Sequence, residues 1–276
     1  MALGMAIGYG LLEMRNAAPA PSREWCLFLD VDGTLVEIAE TPSAVVVDPS
    51  LTTLITAVAQ RLNGAVALVS GRSIATLDEL FAPFKLPAAG QHGAERRAAS
   101  GRLYGANTGR DPGLNGARAP LRAFVDSHPG TLFEDKGRTI AVHFRLAPHF
   151  EGSVRCAVAA AAAGLEAGYE VQAGDRVFEI KPKGFTKASA AEAFMTEAPF
   201  AGRTPVFVGD DLTDEPGLRF AEQAGGISIA VGDRIGGQWR FENPREVRRW
   251  LASIAALDEA PRGSMRVAPP PSQSRS

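Results

Sequence analysis

The sequence predicts an α/β protein with a doubly wound parallel sheet and an inserted, smaller α+β cap domain. Three apolar segments, at residues 26–29, 65–69 and 205–208, are each typical of a strand buried in a parallel sheet. Segments with apolar residues at helical spacing alternate with them, which favours helical crossovers. Between the second and third strands, apolar and polar residues alternate strictly after residue 137, which predicts antiparallel strands instead.

Two helices have clear start signals. Asp48 precedes Pro49, and Asn243 precedes Pro244, so each pair supplies a capping side chain followed by proline at the first helical position. Apolar residues then recur at helical spacing in both segments. The sequence therefore predicts helices that begin at Pro49 and Pro244.

Composition excludes several classes of protein. A chain of 276 residues with 45% apolar residues can support a core and an inserted domain. Its net charge of −2 offers no basic surface for nucleic acid, and no apolar run reaches the roughly 20 residues of a membrane span. Residues 1–12 lack the positively charged start of a signal peptide. We expect a cytoplasmic protein that binds neither nucleic acid nor membrane.

The order of the predicted strands, with an alternating set inserted between buried ones, suggests the domain organisation. We expect a flexible N-terminal segment at 1–22, a catalytic core formed by 23–103 and 184–258, and a cap at 104–183. The tail at 259–276 is rich in Pro, Ser and Arg, which predicts disorder.

Two carboxylates follow the first strand, in the segment Asp30-Val31-Asp32-Gly33-Thr34. Ligands of open α/β sheets gather beyond the carboxyl ends of the strands. There, Asp30 could attack an electrophile while Asp32 transfers the protons of the leaving group and of water. The alternative is a solvated turn, because Asp and Gly dominate turns.

Three further signals follow in the chain. Ser70 ends the second strand and could donate a hydrogen bond to a phosphoryl oxygen, and Lys187 could neutralise that group. The acidic residues Asp210, Asp211 and Asp214 follow the third strand and suit Mg²⁺. Each signal has an ordinary alternative as a helix cap, a surface charge or a helix start. Together they describe a site that hydrolyses phosphate monoesters.

These four motifs resemble those of the haloacid dehalogenase superfamily of phosphohydrolases. The fuller segments GDDLTDE at 209–215, SGR at 70–72 and GQHG at 90–93 resemble the trehalose-6-phosphate phosphatases, across about residues 25–257. The resemblance implies Mg²⁺ at Asp30, Asp32, Asp210 and Asp211, with Asp30, Asp32, Ser70, Lys187 and Asp214 as the catalytic residues. It also places Arg72 and His92 beside the substrate, although His92 read alone is equally a polar loop residue.

The cap region predicts a polar binding face. Residues 132–146 form a predicted hairpin with Ile140, Val142, Phe144 and Leu146 on its apolar side. An Ala-rich helix at 153–166 follows in the chain and would back the sheet, and residues 175–182 then add a third strand. The opposite face carries Glu134, Lys136, His143, Arg145, Glu179 and Lys181. Such groups can bind sugar hydroxyls and phosphate, although antiparallel sheets routinely turn charged faces to water. The family resemblance favours a substrate-binding surface.

Three details depart from the family pattern, namely Ala188 after Lys187, Phe144 between His143 and Arg145, and Pro216-Gly217, which would interrupt a helix. Two alternative functions stay open. The same core could serve a sucrose or mannosylglycerate phosphate, or the chain could be a catalytically silent sugar-phosphate binder. We expect a monomeric phosphatase of a small-molecule sugar phosphate, with a functional link to a trehalose-6-phosphate synthase.

Overall fold

Two β-sheets organise the chain. The computed structural model describes residues 18–105 and 110–257. Residues 1–17 and 258–276, which contain most of the segments predicted to be flexible, lie outside the described residues.

The larger sheet contains eight strands, in the order β12-β11-β10-β1-β2-β3-β4-β5, and the smaller contains four, in the order β6-β7-β9-β8. The strands are β1 (Trp25–Leu29), β2 (Val66–Val69), β3 (Ala88–Gly90), β4 (Glu95–Arg97), β5 (Leu103–Tyr104), β6 (Leu132–Asp135), β7 (Ile140–His143), β8 (Tyr169–Gly174), β9 (Val177–Pro182), β10 (Thr204–Gly209), β11 (Ile227–Val231) and β12 (Trp239–Phe241). The helices are α1 (Pro49–Arg61), α2 (Ile74–Leu80), α3 (Asn115–Asp126), α4 (Glu151–Ala163), α5 (Lys187–Met195), α6 (Glu215–Gln223) and α7 (Pro244–Ala255).

In the larger sheet the six strands from β12 to β3 in the order above are parallel, and β4 and β5 are added antiparallel at one edge. Helix α1 packs against α7, and α5 packs against α6. The predicted fold class, a doubly wound parallel sheet with a separate smaller sheet, is confirmed. Strand β1 lies between β2 and β10, where the strand order reverses, and ligands of such sheets bind at this point.

The main hydrophobic core is built around β1, whose five residues are all buried. Phe28 is fully buried, and its ring centroid lies 5.7 Å from Phe200, 6.0 Å from Phe194 and 6.4 Å from Phe207. Phe194 belongs to α5, Phe207 belongs to β10, and Phe200 lies in the segment that connects them. Their packing fixes the carboxyl end of β1 relative to that of β10.

The cap sheet has its own hydrophobic core, formed with α3 and α4. This second cluster contains Leu114, Ala117, Leu121, Ile140, Val142, Phe144, Val154, Val158, Phe178 and Ile180. It shares no residue with the main core. All four strands and both helices lie within 104–183, the range predicted for the cap.

The structure differs from the sequence-based expectation in parts of the cap. Strand β8 is an additional edge strand, and α3 is an additional helix whose Gly116 and Pro120 argue against helix by propensity. The prediction that Leu146 lies on the apolar face is wrong. Strand β7 ends at His143, and Leu146 is 55% exposed because the chain turns after the strand.

The helix starts agree with the predictions in two places and differ in a third. The Asp48 side chain accepts a hydrogen bond from the Ser50 N–H, and α1 begins at Pro49 as expected. The Asn243 side chain caps α7 in the same way. The predicted interruption at Pro216 is wrong, because α6 begins at Glu215 and a proline in the first turn loses no helical hydrogen bond.

No helix in the described part of the chain is long and apolar enough to cross a membrane.

The aromatic cluster around Phe28 gives a stability prediction. Replacing Phe28 with Ala removes a fully buried ring, and we expect the free energy of unfolding to fall by about 3–5 kcal/mol. Urea unfolding followed by circular dichroism measures the change. Phe84, which is 41% exposed, supplies the matched control, and Phe84→Ala is expected to change stability by about 0.5 kcal/mol or less. Equal effects of the two substitutions would contradict the placement of this core.

Candidate active site

A buried lysine joins two carboxylates at the carboxyl ends of β1 and β10. Asp30 follows β1 directly and is 4% exposed. The Lys187 ammonium donates to Oδ1 of Asp30 at 2.6 Å and to Oδ1 of Asp214 at 2.7 Å. Thr186 caps α5 by accepting a hydrogen bond from the Ser189 N–H, which places Lys187 in the first turn. Residues that are far apart in the chain therefore meet in one ion-paired cluster.

The acidic turn after β10 completes this cluster. The second oxygen of Asp214 accepts hydrogen bonds from the backbone N–H groups of Asp210 and Asp211, both at 3.2 Å. The Asp210 carboxylate accepts from the Thr34 hydroxyl at 3.2 Å and from the Arg234 guanidinium. Oxygens of Asp30, Asp210 and Asp214 lie within 4.8 Å of one another, so this buried triad could hold a metal ion.

Only glycine permits this approach at position 33. Gly33 has φ +84°, and a Cβ there would collide with the Asp210 carboxylate. The glycine of the DVDGT segment therefore has a steric role as well as a conformational one.

The electrostatics of the cluster follow from its burial. Desolvation, reinforced by the negative charge of Asp214, raises the pKa of Asp30 to about 7. Desolvation and the charge of Asp30 raise the pKa of Asp210 to about 8. Burial alone would lower the pKa of Lys187, but Asp214 and Asp30 more than offset it and hold the pKa above its ordinary value. The site thus places three buried carboxyl groups around the Lys187 ammonium, with the Arg234 guanidinium on Asp210.

The second carboxylate of the DxD segment is paired with an arginine. The Arg72 guanidinium donates to both oxygens of Asp32, at 2.7 and 2.8 Å, and to the Pro42 carbonyl at 3.0 Å. Ser70 is 1% exposed, and its Oγ accepts from the Arg72 N–H at 3.2 Å. Ser70, Arg72 and Asp32 all line the same cleft as Asp30.

The cap sheet forms the opposite wall of this cleft. Lys136 donates to both oxygens of Glu179, at 3.2 and 3.1 Å, and Nε2 of His143 lies 2.7 Å from Oε2 of Glu134. Burial would raise the pKa of Glu179, but Lys136 and His92 outweigh it and hold the pKa below its ordinary value. The structure therefore brings the core motifs and five of the six predicted cap residues to one cleft.

Three predicted residues are placed differently. Lys181 is 2% exposed and lies outside the cleft, where its ammonium contacts Glu170 at 2.9 Å. Arg145 reaches the cleft from the turn after β7 and pairs with Asp175 at 2.9 Å. The Asp211 carboxylate accepts from two backbone N–H groups and is not part of the acidic triad.

Sequence reasoning missed several residues of the cleft. Gln172 and Asp175 lie on β8 and in the turn after it, and that strand was not predicted. Arg234 follows β11 and pairs with Asp175 at 2.8 Å. A search for charged residues beyond every parallel strand would have found Arg234, because β11 ends at the same edge as β10.

Comparison with known proteins identifies the family. Residues 28–248 match the family model described as trehalose-phosphatase, which covers more than half of the chain. The chain belongs to the trehalose-phosphatase family. It is 37% identical over 257 residues to the trehalose-6-phosphate phosphatase of Escherichia coli, an alignment that covers 93% of this chain and 96% of the relative. A probable trehalose-phosphate phosphatase of Sinorhizobium fredii is 42% identical over 211 residues, covering 76% and 79%.

Solved structures agree with the fold. The C-terminal domain of trehalose-6-phosphate phosphatase from Candida albicans superposes with a TM-score of 0.71 at 19% identity, covering 86% of this chain and 93% of that chain. A phosphatase of the haloalkanoate (HAD) enzyme superfamily from Bacteroides thetaiotaomicron has a TM-score of 0.52 at 14% identity, covering 91% and 97%. The predicted family and enzyme class, a trehalose-phosphatase, are therefore confirmed, while the roles of individual residues stay predictions.

The raised pKa values of Asp30 and Asp210 predict how the free energy of unfolding of this member of the trehalose-phosphatase family depends on pH when a chelator is present. In the unfolded chain an Asp has a pKa of about 3.9, so the folded state binds the Asp30 and Asp210 protons more tightly. Their stabilising effect is present below about pH 4 and is lost as the pH rises through about 7 and about 8. We expect Asp210→Asn to lose less stability than the wild type between these limits.

Urea unfolding at a series of pH values tests this expectation. Asp126→Asn, a change at an exposed position of α3, serves as the control and should follow the wild type. An Asp210→Asn curve parallel to the wild-type curve would refute the assignment of the shift to Asp210.

Proposed function

We propose that the chain hydrolyses trehalose 6-phosphate to trehalose and inorganic phosphate, with Mg²⁺ as its cofactor. One observation carries the proposal. Buried Asp30 lies 2.6 Å from the Lys187 ammonium, in a cleft whose opposite wall is the polar face of the cap sheet. A nucleophile, a phosphate-binding cation and a sugar-binding surface thus share one cavity.

The acidic triad fits a divalent cation. Carboxylate oxygens are the hard ligands that Mg²⁺ takes, and those of Asp30, Asp210 and Asp214 are close enough to share one ion. Burial, reinforced by the charge of neighbouring carboxylates, raises the pKa values of Asp30 and Asp210, and a bound cation would stabilise their charged forms. With the backbone carbonyl of Asp32 as a further ligand, Mg²⁺ would neutralise charge on the phosphoryl oxygens. Asp211 supports this set by holding the turn.

Asp30 acts as the nucleophile. One of its carboxylate oxygens bonds to phosphorus while the bond from phosphorus to the sugar oxygen breaks, which gives an aspartyl-phosphate. Lys187 and the Ser70 hydroxyl hold the phosphoryl oxygens, because an anionic nucleophile must approach an anionic group. Asp214 keeps Lys187 in place through the 2.7 Å contact.

Asp32 transfers the protons. It protonates the departing sugar oxygen, and then accepts a proton from the water that attacks the aspartyl-phosphate. Arg72 orients the Asp32 carboxylate through its two hydrogen bonds.

The cap determines the sugar. Glu134 and Glu179 accept hydrogen bonds from sugar hydroxyls, while Lys136, His143 and the more peripheral Arg145 donate to sugar oxygens. His92 contacts the Glu179 carboxylate from the core side of the cleft. Trehalose 6-phosphate is the proposed substrate because the relatives that match most of this chain are named for it. Monomeric state, cytoplasmic location and the link to a trehalose-6-phosphate synthase stay predictions.

The deciding experiment measures phosphate release from trehalose 6-phosphate, glucose 6-phosphate and sucrose 6-phosphate, with Mg²⁺ and with chelator. We expect release from trehalose 6-phosphate that requires Mg²⁺ and falls by at least about 10⁴-fold in Asp30→Asn, because the nucleophile is removed. Asp126→Asn should retain full activity.

Each other result has a distinct meaning. Preference for another sugar phosphate would retain the proposed chemistry and refute the substrate. No release from any of the three, by a folded protein with Mg²⁺, would refute the phosphatase and favour the silent binder.

The role of Asp32 can be tested with p-nitrophenyl phosphate, whose leaving group needs no proton. In Asp32→Asn we expect a burst of about one equivalent of p-nitrophenol, followed by slow turnover, because only the water step still needs the base. For trehalose 6-phosphate, a loss on the order of 10²- to 10⁴-fold is expected. Rapid-mixing absorbance measures the burst. Steady turnover at the wild-type rate would exclude Asp32 as the base.

A further inference from the structure

Two consecutive residues after β3 adopt a left-handed conformation without being glycine. Gln91 has φ +49° and His92 has φ +58°, and the residues are 2% and 7% exposed. Such strain is maintained only where surrounding contacts stabilise it, and it concentrates at functional sites. Contacts around Gln91 and His92 must therefore stabilise this backbone conformation.

The backbone of the pair is bonded to the loop that follows β2. The Gln91 N–H donates to the Arg72 carbonyl at 2.8 Å, and the His92 N–H donates to the Ser70 carbonyl at 3.0 Å. The imidazole covers Gly71 so closely that a Cβ on Gly71 would lie 2.8 Å from Nε2. Two backbone hydrogen bonds thus attach Gln91 and His92 to the loop that contains Ser70.

The side chains of the pair reach three elements of the cap. Oε1 of Gln91 accepts from the Arg138 N–H, in the turn between β6 and β7, at 3.1 Å. Nε2 of His92 lies 3.2 Å from Oε2 of Glu179 on β9, and Nδ1 lies 3.3 Å from Nε2 of Gln172 on β8. The left-handed turn is what aims both side chains at the cap.

The contacts of His92 define its protonation. Burial lowers the pKa of His92 despite the opposing charge of Glu179, which favours the neutral ring. A carboxylate only accepts hydrogen bonds, so the ring proton lies on Nε2, towards Glu179. Nδ1 then needs a donor, and the Gln172 amide supplies it. Glu179 therefore sets the tautomer of His92, and Gln172 stabilises that tautomer by donating to Nδ1.

We propose that Gln91 and Gln172 are positioning residues that, through Arg138 and His92, set the distance between the cap sheet and the Ser70 loop. The catalytic consequence rests on the proposed function. A sugar phosphate must place its phosphoryl group at Ser70 while its sugar contacts Glu179. Both ends of the substrate then bind correctly only at one distance between the cap sheet and the Ser70 loop. Loss of either amide should therefore lower kcat/KM more for a sugar phosphate than for a phosphate ester that does not reach the cap.

The kinetic test uses Gln91→Met and Gln172→Met, which keep side-chain length and remove the amide. We expect kcat/KM for trehalose 6-phosphate to fall on the order of 10- to 100-fold, because small displacements of bound groups cost this much. The fall for p-nitrophenyl phosphate should be at least about fivefold smaller. Gln91→Glu retains an acceptor for the Arg138 N–H and should recover most of the activity, and Gln223→Met, at an exposed position of α6, should match the wild type.

Two further readouts do not need a substrate. Nitrogen-15 NMR of the His92 ring should show the tautomer with its proton on Nε2 in the wild type, and a larger share of the other tautomer in Gln172→Met because Nδ1 then lacks the amide donor. Cys156 is exposed on α4 and Cys26 is buried, so a spin label on Cys156 and one on an Ala252→Cys variant report the cap–core distance. We expect a longer or broader distance distribution in both Met variants than in Gln223→Met.

The outcomes separate this proposal from the proposed function. Equal losses for both substrates with an unchanged label distance would overturn it, because the amides would then act on the core alone. An unchanged tautomer in Gln172→Met would remove Gln172 from it. If trehalose 6-phosphate is not hydrolysed but the distance changes as expected, the positioning role stands and the substrate assignment fails.

Discussion

The ammonium of Lys187, buried between Asp30 and Asp214, is the interaction on which the rest of the structure depends. Three carboxylates in the interior would repel one another, and their convergence requires a compensating cation. Removal of one partner from such a buried cluster leaves an uncompensated charge, which typically costs about 3–5 kcal/mol. In the proposed reaction, the same ammonium that makes the cluster compatible with folding would also neutralise the transferring phosphoryl group. Stability and the proposed chemistry would then constrain one side chain together.

Topology explains how this cluster assembles from distant residues. Strands β1 and β10 are neighbours in the sheet although the whole cap lies between them in the chain. The parallel register brings Leu29 opposite Val208, so the residues that follow each strand emerge at one level. Helix α5 follows the last strand of the cap in the chain and carries Lys187 in its first turn. Each part alone is an ordinary strand end or helix start, and the site results from their shared edge.

The core of the fold and its site could be predicted because strong local signals define them. Asp30, Ser70, Lys187 and Asp210 each follow an apolar run or open a helix, and the ends of parallel strands meet by geometry. The cap was predicted less completely. Gln172 lies on an edge strand without clear alternation, α3 contains a proline, and Arg234 follows a strand whose end carries no motif. Lys181 is two residues from Glu179 and shares its face of β9, but it pairs with Glu170 outside the cleft. The alternation of side chains predicts the face of the sheet and not the position of a residue along that face.

The separation of the two hydrophobic cores has a consequence for turnover. Core and cap each bury their own apolar residues, and the contacts across the cleft described above are hydrogen bonds and ion pairs. Separation of the cap from the core would therefore exchange these contacts for water without exposing either hydrophobic core, and ionic strength would weaken the charged contacts. Polar contacts would then set the free energy that opposes such a separation, and in the proposed reaction a sugar that contacts both walls would add to it.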